Sequence, residues 1–307
     1  MEIIDLNSCQ IDSEGNAVAL GNFDGVHIGH QELIKSNIKE AGKRKLKSTV
    51  LVFRNHTKEI LKKNSDTKVQ LLTNFDQKID ILKGFGLDTL YLADFNKSIM
   101  KLTPEEFVDN ILIKKLNTKL ITVGFNYRFG YKASGDVELL KRIGLERGIM
   151  VNIMPPVYVE QEIVSSTAIR NSIKTGNIKK ANRFLGRNFT IIGSVVEGKN
   201  RGRKLGFPTA NIKLIDNYVI PKEGVYVTNT IIDGIKLISL TNIGYNPTFN
   251  ENELKIETYI LDFNGNLYGK TLEIQFIDFI RDDIKFNTTE ELIQQIERDV
   301  KYIKTYY

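Results

Sequence analysis

Ala17-Val18-Ala19-Leu20-Gly21-Asn22-Phe23-Asp24-Gly25-Val26-His27-Ile28-Gly29-His30 decides the fold of the first half of the chain. The apolar run Ala17–Leu20 reads as a buried strand, the glycine-rich turn ends it, and a helical pattern follows through Leu33, Ile34 and Ile38. In a parallel sheet, ligands bind outside the carboxyl ends of strands. A helix that begins there presents unpaired N–H groups and its positive dipole end to phosphate. Gly21, Gly25 and Gly29 let the backbone approach closely. His27 and His30, three apart, can share one face of the first helical turn and donate hydrogen bonds to charge developing on a polyphosphate. A single histidine here would read as a cap or packing residue. Two of the chain's three histidines in one loop read as function, and no second histidine or cysteine cluster exists to complete a zinc site.

Outward from this loop the same alternation repeats. Strand text at Thr49–Phe53, Thr89–Leu92, Leu120–Val123 and Met150–Met154 alternates with helical text at 76–84, from Pro104 through Leu112, and at Val137–Ile143. Such alternation implies βαβ units and a parallel sheet covered on both faces. The pattern changes near residue 185. FTIIGSVV, GVYVTNTIID, KLISLTNIG, LKIETYILDF and LEIQFIDFI follow at short spacing between Phe189 and Ile280, with turn signals at Asp233-Gly234 and Asn264-Gly265. These predict a small antiparallel barrel or sandwich. A closing amphipathic helix covers about 289–303, with Thr288 or Thr289 as its cap. The expected domains are therefore 1–185 and 186–307.

Composition bounds the function. With 307 residues, 41% hydrophobic and 26% charged, the chain can bury two cores and is not disordered. No apolar run is long enough to cross a membrane, and the acidic, polar-broken N-terminus lacks the regions of a signal peptide. Cys9 is the one cysteine, so a disulfide framework is excluded and a reducing cytoplasm is expected. The net charge of +6 suits an anionic ligand, and the scattered basic residues near 35–47 read as a solvated helix face, so no nucleic-acid partner is expected.

Three further segments carry chemistry. Gly124-Phe125-Asn126-Tyr127-Arg128-Phe129-Gly130 leaves a strand for a loop, with Gly135-Asp136 close behind. Ser165-Ser166-Thr167-Ala168-Ile169-Arg170 starts a helix whose hydroxyls, amides and arginine suit phosphate; alone it reads as an ordinary N-cap, and the first loop tips it towards a site. In the second half, Gly198-Lys199-Asn200-Arg201-Gly202-Arg203-Lys204-Leu205-Gly206-Phe207-Pro208-Thr209-Ala210-Asn211 is glycine-rich and basic but is no P-loop. Thr209 and Asn211 face the same way on a strand, and their oxygens are hard ligands suited to Mg²⁺ beside phosphate. Read alone, that loop is a mobile basic turn, and Glu257 is an exposed strand glutamate.

Taken together, these motifs resemble a known family. GNFDGVHIGH, VGFNYRFG and SSTAIR resemble the adenylyltransferase module of bacterial FAD synthetase. GFPTAN, NIGYNPTF (242–249), IETYILDF (256–263), Leu267-Tyr268-Gly269 and FIRDDIKF (279–286) resemble its riboflavin kinase module. The resemblance covers nearly the whole chain. It implies a Rossmann-like α/β nucleotidyltransferase domain followed by an antiparallel β-barrel kinase domain with a C-terminal helix. It also implies ATP, riboflavin and FMN as ligands, Mg²⁺ with ATP, and FMN and FAD as flavin substrate and product. His27, His30 and Arg170 would act on adenylyl transfer, with Gly21, Asn22, Phe23, Asp24, Gly25, Asn126, Arg128, Ser165, Ser166 and Thr167 around the nucleotide. In the kinase, Gly198, Lys204, Gly206, Pro208 and Thr209 would hold nucleotide, and Thr209 and Asn211 the metal. Glu257 would be the base, and Arg281 and Phe286 would border the flavin. The chain departs from the family pattern at Asn126, Ala168, Tyr259 and Phe53-Arg54-Asn55-His56-Thr57. A class I aminoacyl-tRNA synthetase, a second owner of His-x-Gly-His, would need a Lys-Met-Ser-Lys-Ser-like loop that is missing here. The other alternative is a non-catalytic or single-activity flavin- or nucleotide-binding relative with a regulatory role. No motif specifies an oligomeric state.

Overall fold

A computed structural model describes residues 1–7, 14–54, 69–198, 202, 205–245 and 254–307. Cys9, Asn55, His56, Thr57, Lys199, Asn200, Arg201, Arg203, Lys204 and the stretch 246–253 lie outside the described residues. The chain forms two compact units, Met1–Val69 with Asn74–Ser165, and Gln70–Thr73 with Ser166–Tyr307.

The first unit is a six-stranded parallel sheet in the order β1-β4-β3-β2-β5-β6. Its strands are β1 (Glu2–Asp5), β2 (Asn16–Leu20), β3 (Lys47–Phe53), β4 (Thr89–Ala93), β5 (Thr118–Gly124) and β6 (Met150–Met154). The helices α1 (Ile28–Arg44), α2 (Phe75–Lys83) and α3 (Val137–Arg147) arise where the periodicity predicts them. β2 is buried along its whole length, and its side chains alternate between two cores. Val18 and Leu20 pack with Val108, Leu112, Ile121 and Leu140 on one face. Ala19 packs with Phe23, Leu33, Ile34, Ile79 and Leu82 on the other. Buried Asn37 ties α1 to the sheet: its Nδ2 donates to the carbonyls of Ala17 (2.9 Å) and Thr49 (3.2 Å), and its Oδ1 accepts from Thr122 (3.0 Å). The stretch opened by Pro104 is helical, with a capping box at Thr103, and runs on as π-helix over Phe107–Ile113. β1 was not expected from the sequence and extends the sheet edge beside β4.

The second unit opens with α4 (Ser166–Lys174) and α5 (Ile178–Leu185), which precede the barrel. The barrel strands are β7 (Phe189–Val196), β8 (Thr209–Leu214), β9 (Gly224–Ile232), β10 (Ile235–Tyr245), β11 (Leu254–Ile260) and β12 (Thr271–Arg281). They close antiparallel in the order β8-β11-β10-β9-β12-β7. Strict alternation of buried and half-buried residues in β7 is the period-two signature of one face turned inward. Asp233 (φ 51°) and Gly234 (φ 81°) supply the two left-handed residues that a tight β9–β10 hairpin requires. The barrel interior is partly polar. Thr228, Thr230, Ser239, Thr241 and Thr258 are fully buried there. Their hydroxyls satisfy one another: Thr228 contacts Ser239 (2.9 Å) and Thr241 (2.8 Å), Thr230 contacts Ser239 (2.8 Å), and Thr241 contacts Thr258 (3.0 Å). The closing helix α6 (Thr289–Tyr306) is capped by Thr288, whose hydroxyl accepts from the Glu291 N–H at 3.2 Å. Ile303 and Val300 of α6 pack on Val225, Val227 and Leu240 of the barrel's outer face.

Candidate active sites

At the carboxyl end of β2 the chain turns sharply. Phe23 (φ 48°), Gly25 (φ 77°) and Val26 (φ 35°) occupy the left-handed region, which a β-branched residue adopts only under constraint. The constraint is burial: Phe23, Asp24 and Val26 are inside, with Phe23 against the His30 ring at 5.3 Å. His27 is the N-cap of α1, its Nδ1 accepting the His30 N–H at 3.3 Å. The two imidazoles stack with centroids 3.7 Å apart and planes 15° from parallel. Gly29 makes room for this, since a Cβ there would come within 3.2 Å of the His27 ring. Burial foremost, then the charges of His27 and Lys78, hold His30 well below the ordinary histidine value of 6.5. His30 is therefore a neutral imidazole near pH 7. Its Nδ1 is buried and makes no hydrogen bond.

Lys78 is the residue that sequence reasoning missed. It lies on α2, is only 8% exposed, and donates from Nζ to the Asn22 carbonyl at 3.4 Å. Burial lowers its basicity and the Asp24 carboxylate opposes that shift. The capping box of Asn74 and Gln77 fixes the start of α2 and so the direction of this side chain. Its signal was available: Phe75, Lys78, Ile79 and Leu82 are spaced three or four apart and share one helix face, so the lysine stands on an apolar stripe.

The other first-half residues are placed as follows. Asn22 and Asn126 are exposed, and Gly21 is half-buried. Arg128 is exposed and pairs with Asp136 at 3.5 Å; Asp136 also caps α3. Ser165 precedes α4, which starts at Ser166, and Thr167 is exposed on its first turn. Arg170 of α4 donates from Nε to the Gln70 carbonyl at 2.8 Å, inside the second compact unit.

On the barrel, cross-strand register brings the kinase-like residues together. Asn211 of β8 is the partner of Glu257 on β11, which partners Asn242 on β10, which partners Val225 on β9, which partners Arg281 on β12. Directly opposed residues point to the same side of a sheet. The next position, where Thr258 partners Ala210 and Thr241, faces the hydroxyl-lined interior, so this rung faces outward. Thr209 lies two residues from Asn211 on the same face, opposite Tyr259. Gly198 lies against the Asn211 side-chain amide, which a Cβ at that position would displace. Gly206 is left-handed (φ 86°), and Pro208 leads directly into β8. Among the described residues no cluster of three or more histidine, cysteine or acidic side chains could cage a metal. A hydroxyl and an amide oxygen suit an Mg²⁺ whose other ligands come from phosphate and water. Arg281 is engaged already: Nε and Nη2 donate to the Asp299 carboxylate at 3.1 and 2.8 Å, and Asp299 is 4% exposed and also held by Gln295. Phe286 is half-buried.

A parallel α/β unit with a histidine pair at a strand-to-helix turn is of the nucleotidyltransferase type, and the barrel with its polar outer rung is of the flavokinase type. Residues 9–168 match the FAD synthetase family and residues 185–307 the riboflavin kinase family. The chain belongs to the bifunctional riboflavin kinase/FMN adenylyltransferase family. A protein of that name from Listeria monocytogenes is 38% identical over 94% of this chain and 92% of its own length. One from Bacillus subtilis is 33% identical over 95% and 92%. A crystal structure titled as a macrolide-efflux protein from Streptococcus pneumoniae superposes with a TM-score of 0.91 at 35% identity, covering 100% of both chains. Among the described residues of the present chain, no helix is long and apolar enough to cross a membrane.

Proposed function

We infer that this chain is a riboflavin kinase and FMN adenylyltransferase. The observation that carries the reading is the coincidence of two family matches, in one chain, with two separately built polar sites. In the first reaction the ribityl 5′-hydroxyl attacks the γ-phosphorus of ATP, its proton passes to the Glu257 carboxylate, and the bond to ADP breaks. Glu257 lies beside Asn211 on the rung, which supports a base next to the phosphate end of the site. Mg²⁺, held by Thr209 and Asn211 and by the nucleotide, would neutralise charge on the phosphates. The loop Gly198–Pro208, including Lys204, holds nucleotide, and Arg281 and Phe286 border the flavin.

In the second reaction an FMN phosphate oxygen attacks the α-phosphorus of another ATP, and pyrophosphate leaves. No covalent intermediate is needed; positioning and charge stabilisation suffice. His27 and His30 donate to the developing charge, the turn Gly21–Gly25 cradles phosphate, and Asn126, Arg128 and Ser165 complete the nucleotide contacts of that unit. The division of labour is residues 1–185 for adenylyl transfer and 186–307 for phosphorylation, in the cytoplasm, with neither nucleic acid nor membrane as partner. Incubation of the protein with riboflavin and Mg-ATP, followed by chromatography, should yield FMN and then FAD. EDTA should stop both steps, and added Mg²⁺ should restore them. Absence of FMN would overturn the kinase reading; FMN without FAD would overturn the adenylyltransferase reading.

A further inference from the structure

Asn242 stands on the outward rung next to Glu257, and its Oδ1 is buried without a hydrogen-bond partner. A buried amide oxygen left unpaired is costly, so such an atom in a native fold calls for an explanation. The order along the rung supplies one. Asn211 lies on one side of Glu257, and Asn242 lies on the other. Neighbouring strands are about 4.8 Å apart, so the Asn242 backbone is one such step beyond the base. With the phosphates at Asn211 and the attacking hydroxyl at Glu257, the space at Asn242 falls to the rest of the alcohol. Beyond it the rung turns apolar at Val225.

We propose that Asn242 Oδ1 accepts a hydrogen bond from a second hydroxyl of the substrate's polyol chain, and so selects a polyol over a simple alcohol; the assignment rests on the kinase reading above. A site built to pair a substrate hydroxyl discriminates strongly against the analogue that lacks it.

The test compares two substrates in the full-length protein with Mg-ATP: riboflavin, and a flavin whose N10 chain is a plain ω-hydroxypentyl group bearing only the terminal hydroxyl. The wild type should prefer riboflavin in kcat/KM by more than about tenfold. Asn242→Leu should reduce that preference about tenfold or more, chiefly by losing activity on riboflavin, because the analogue never made the bond. The ligand-free variant should melt no lower than the wild type, since an orphan acceptor has been removed. If Asn242→Leu does not fold, the same ratio is read with Asn242→Ala. An unchanged preference, or equal losses on both substrates, overturns the role of Asn242. A wild type that phosphorylates neither flavin overturns the kinase reading instead.

Discussion

A neutral imidazole with a buried, unpartnered nitrogen is an unusual thing to keep, and His30 keeps it beside a buried lysine. The proposed role as a transition-state donor predicts that His30→Asn lowers the FAD-forming turnover by about 10²–10³. ATP affinity should change less, and riboflavin phosphorylation should stay normal. Single-turnover rates and an ATP titration separate these quantities; a variant that binds ATP poorly but turns over normally once saturated would assign His30 to packing. His30 also links stability to pH. Its folded value lies well below its unfolded value of 6.5, so below pH 6.5 the unfolded chain binds the extra proton. Its contribution is complete above 6.5 and is lost as the pH falls from there towards the folded value. The melting temperature of the wild type should therefore fall more steeply with acidification below 6.5 than that of His30→Asn. The histidines were legible because the chain has so few. Lys78 was passed over, although it shares a helix face with Phe75, Ile79 and Leu82, because a lysine within Phe75–Lys83 also reads as one more solvated helix charge until α2 is seen to place it near Asn22 and Asp24.

Among the elements, the barrel's interior hydroxyls couple three strands. Thr241 on β10 contacts Thr228 on β9 and Thr258 on β11, all fully buried. Thr241→Val leaves the Thr258 hydroxyl without that partner and should cost about 1–3 kcal/mol in a denaturant melt. Thr241→Val with Thr258→Val should cost less than the sum of the two single changes, because the second removes the orphan. The strands themselves were readable from β-branched alternation: Met150–Met154 and Phe189–Val196 begin and end where the text does. β1 escaped notice because four residues with an acid at each end carry little periodicity, and only pairing with β4 makes them a strand. α5 escaped for another reason. Its buried stripe of Ile178, Ala181, Phe184 and Leu185 is interleaved with lysines, asparagine and arginine, and it falls where the text changes from helix-rich to strand-rich.

At the scale of the molecule, each compact unit carries its own constellation: the stacked histidines in the first and the outward rung in the second. The two activities should accordingly part by mutation. Glu257→Ala should abolish FMN formation from riboflavin while FMN-to-FAD conversion continues, both followed by chromatography in one preparation. An equal fall in FMN-to-FAD conversion by a folded variant would mean the two chemistries share a site. A parallel α/β sheet followed by an antiparallel barrel was legible in the change of pattern, but not the joining of Gln70–Thr73 to the second unit, where Leu71 bridges to Tyr218 across a long sequence separation. The rung has one more consequence. Asn211, Glu257 and Asn242 come from three strands, and each faces outward only in the native pairing. A one-residue slip of β11 would turn Glu257 inward among the threonines and bring Thr258 out. Misregistered barrels would thus be catalytically silent, so the initial velocity of riboflavin phosphorylation during refolding would serve as a clock for barrel closure, counting only chains whose strands have found their proper neighbours.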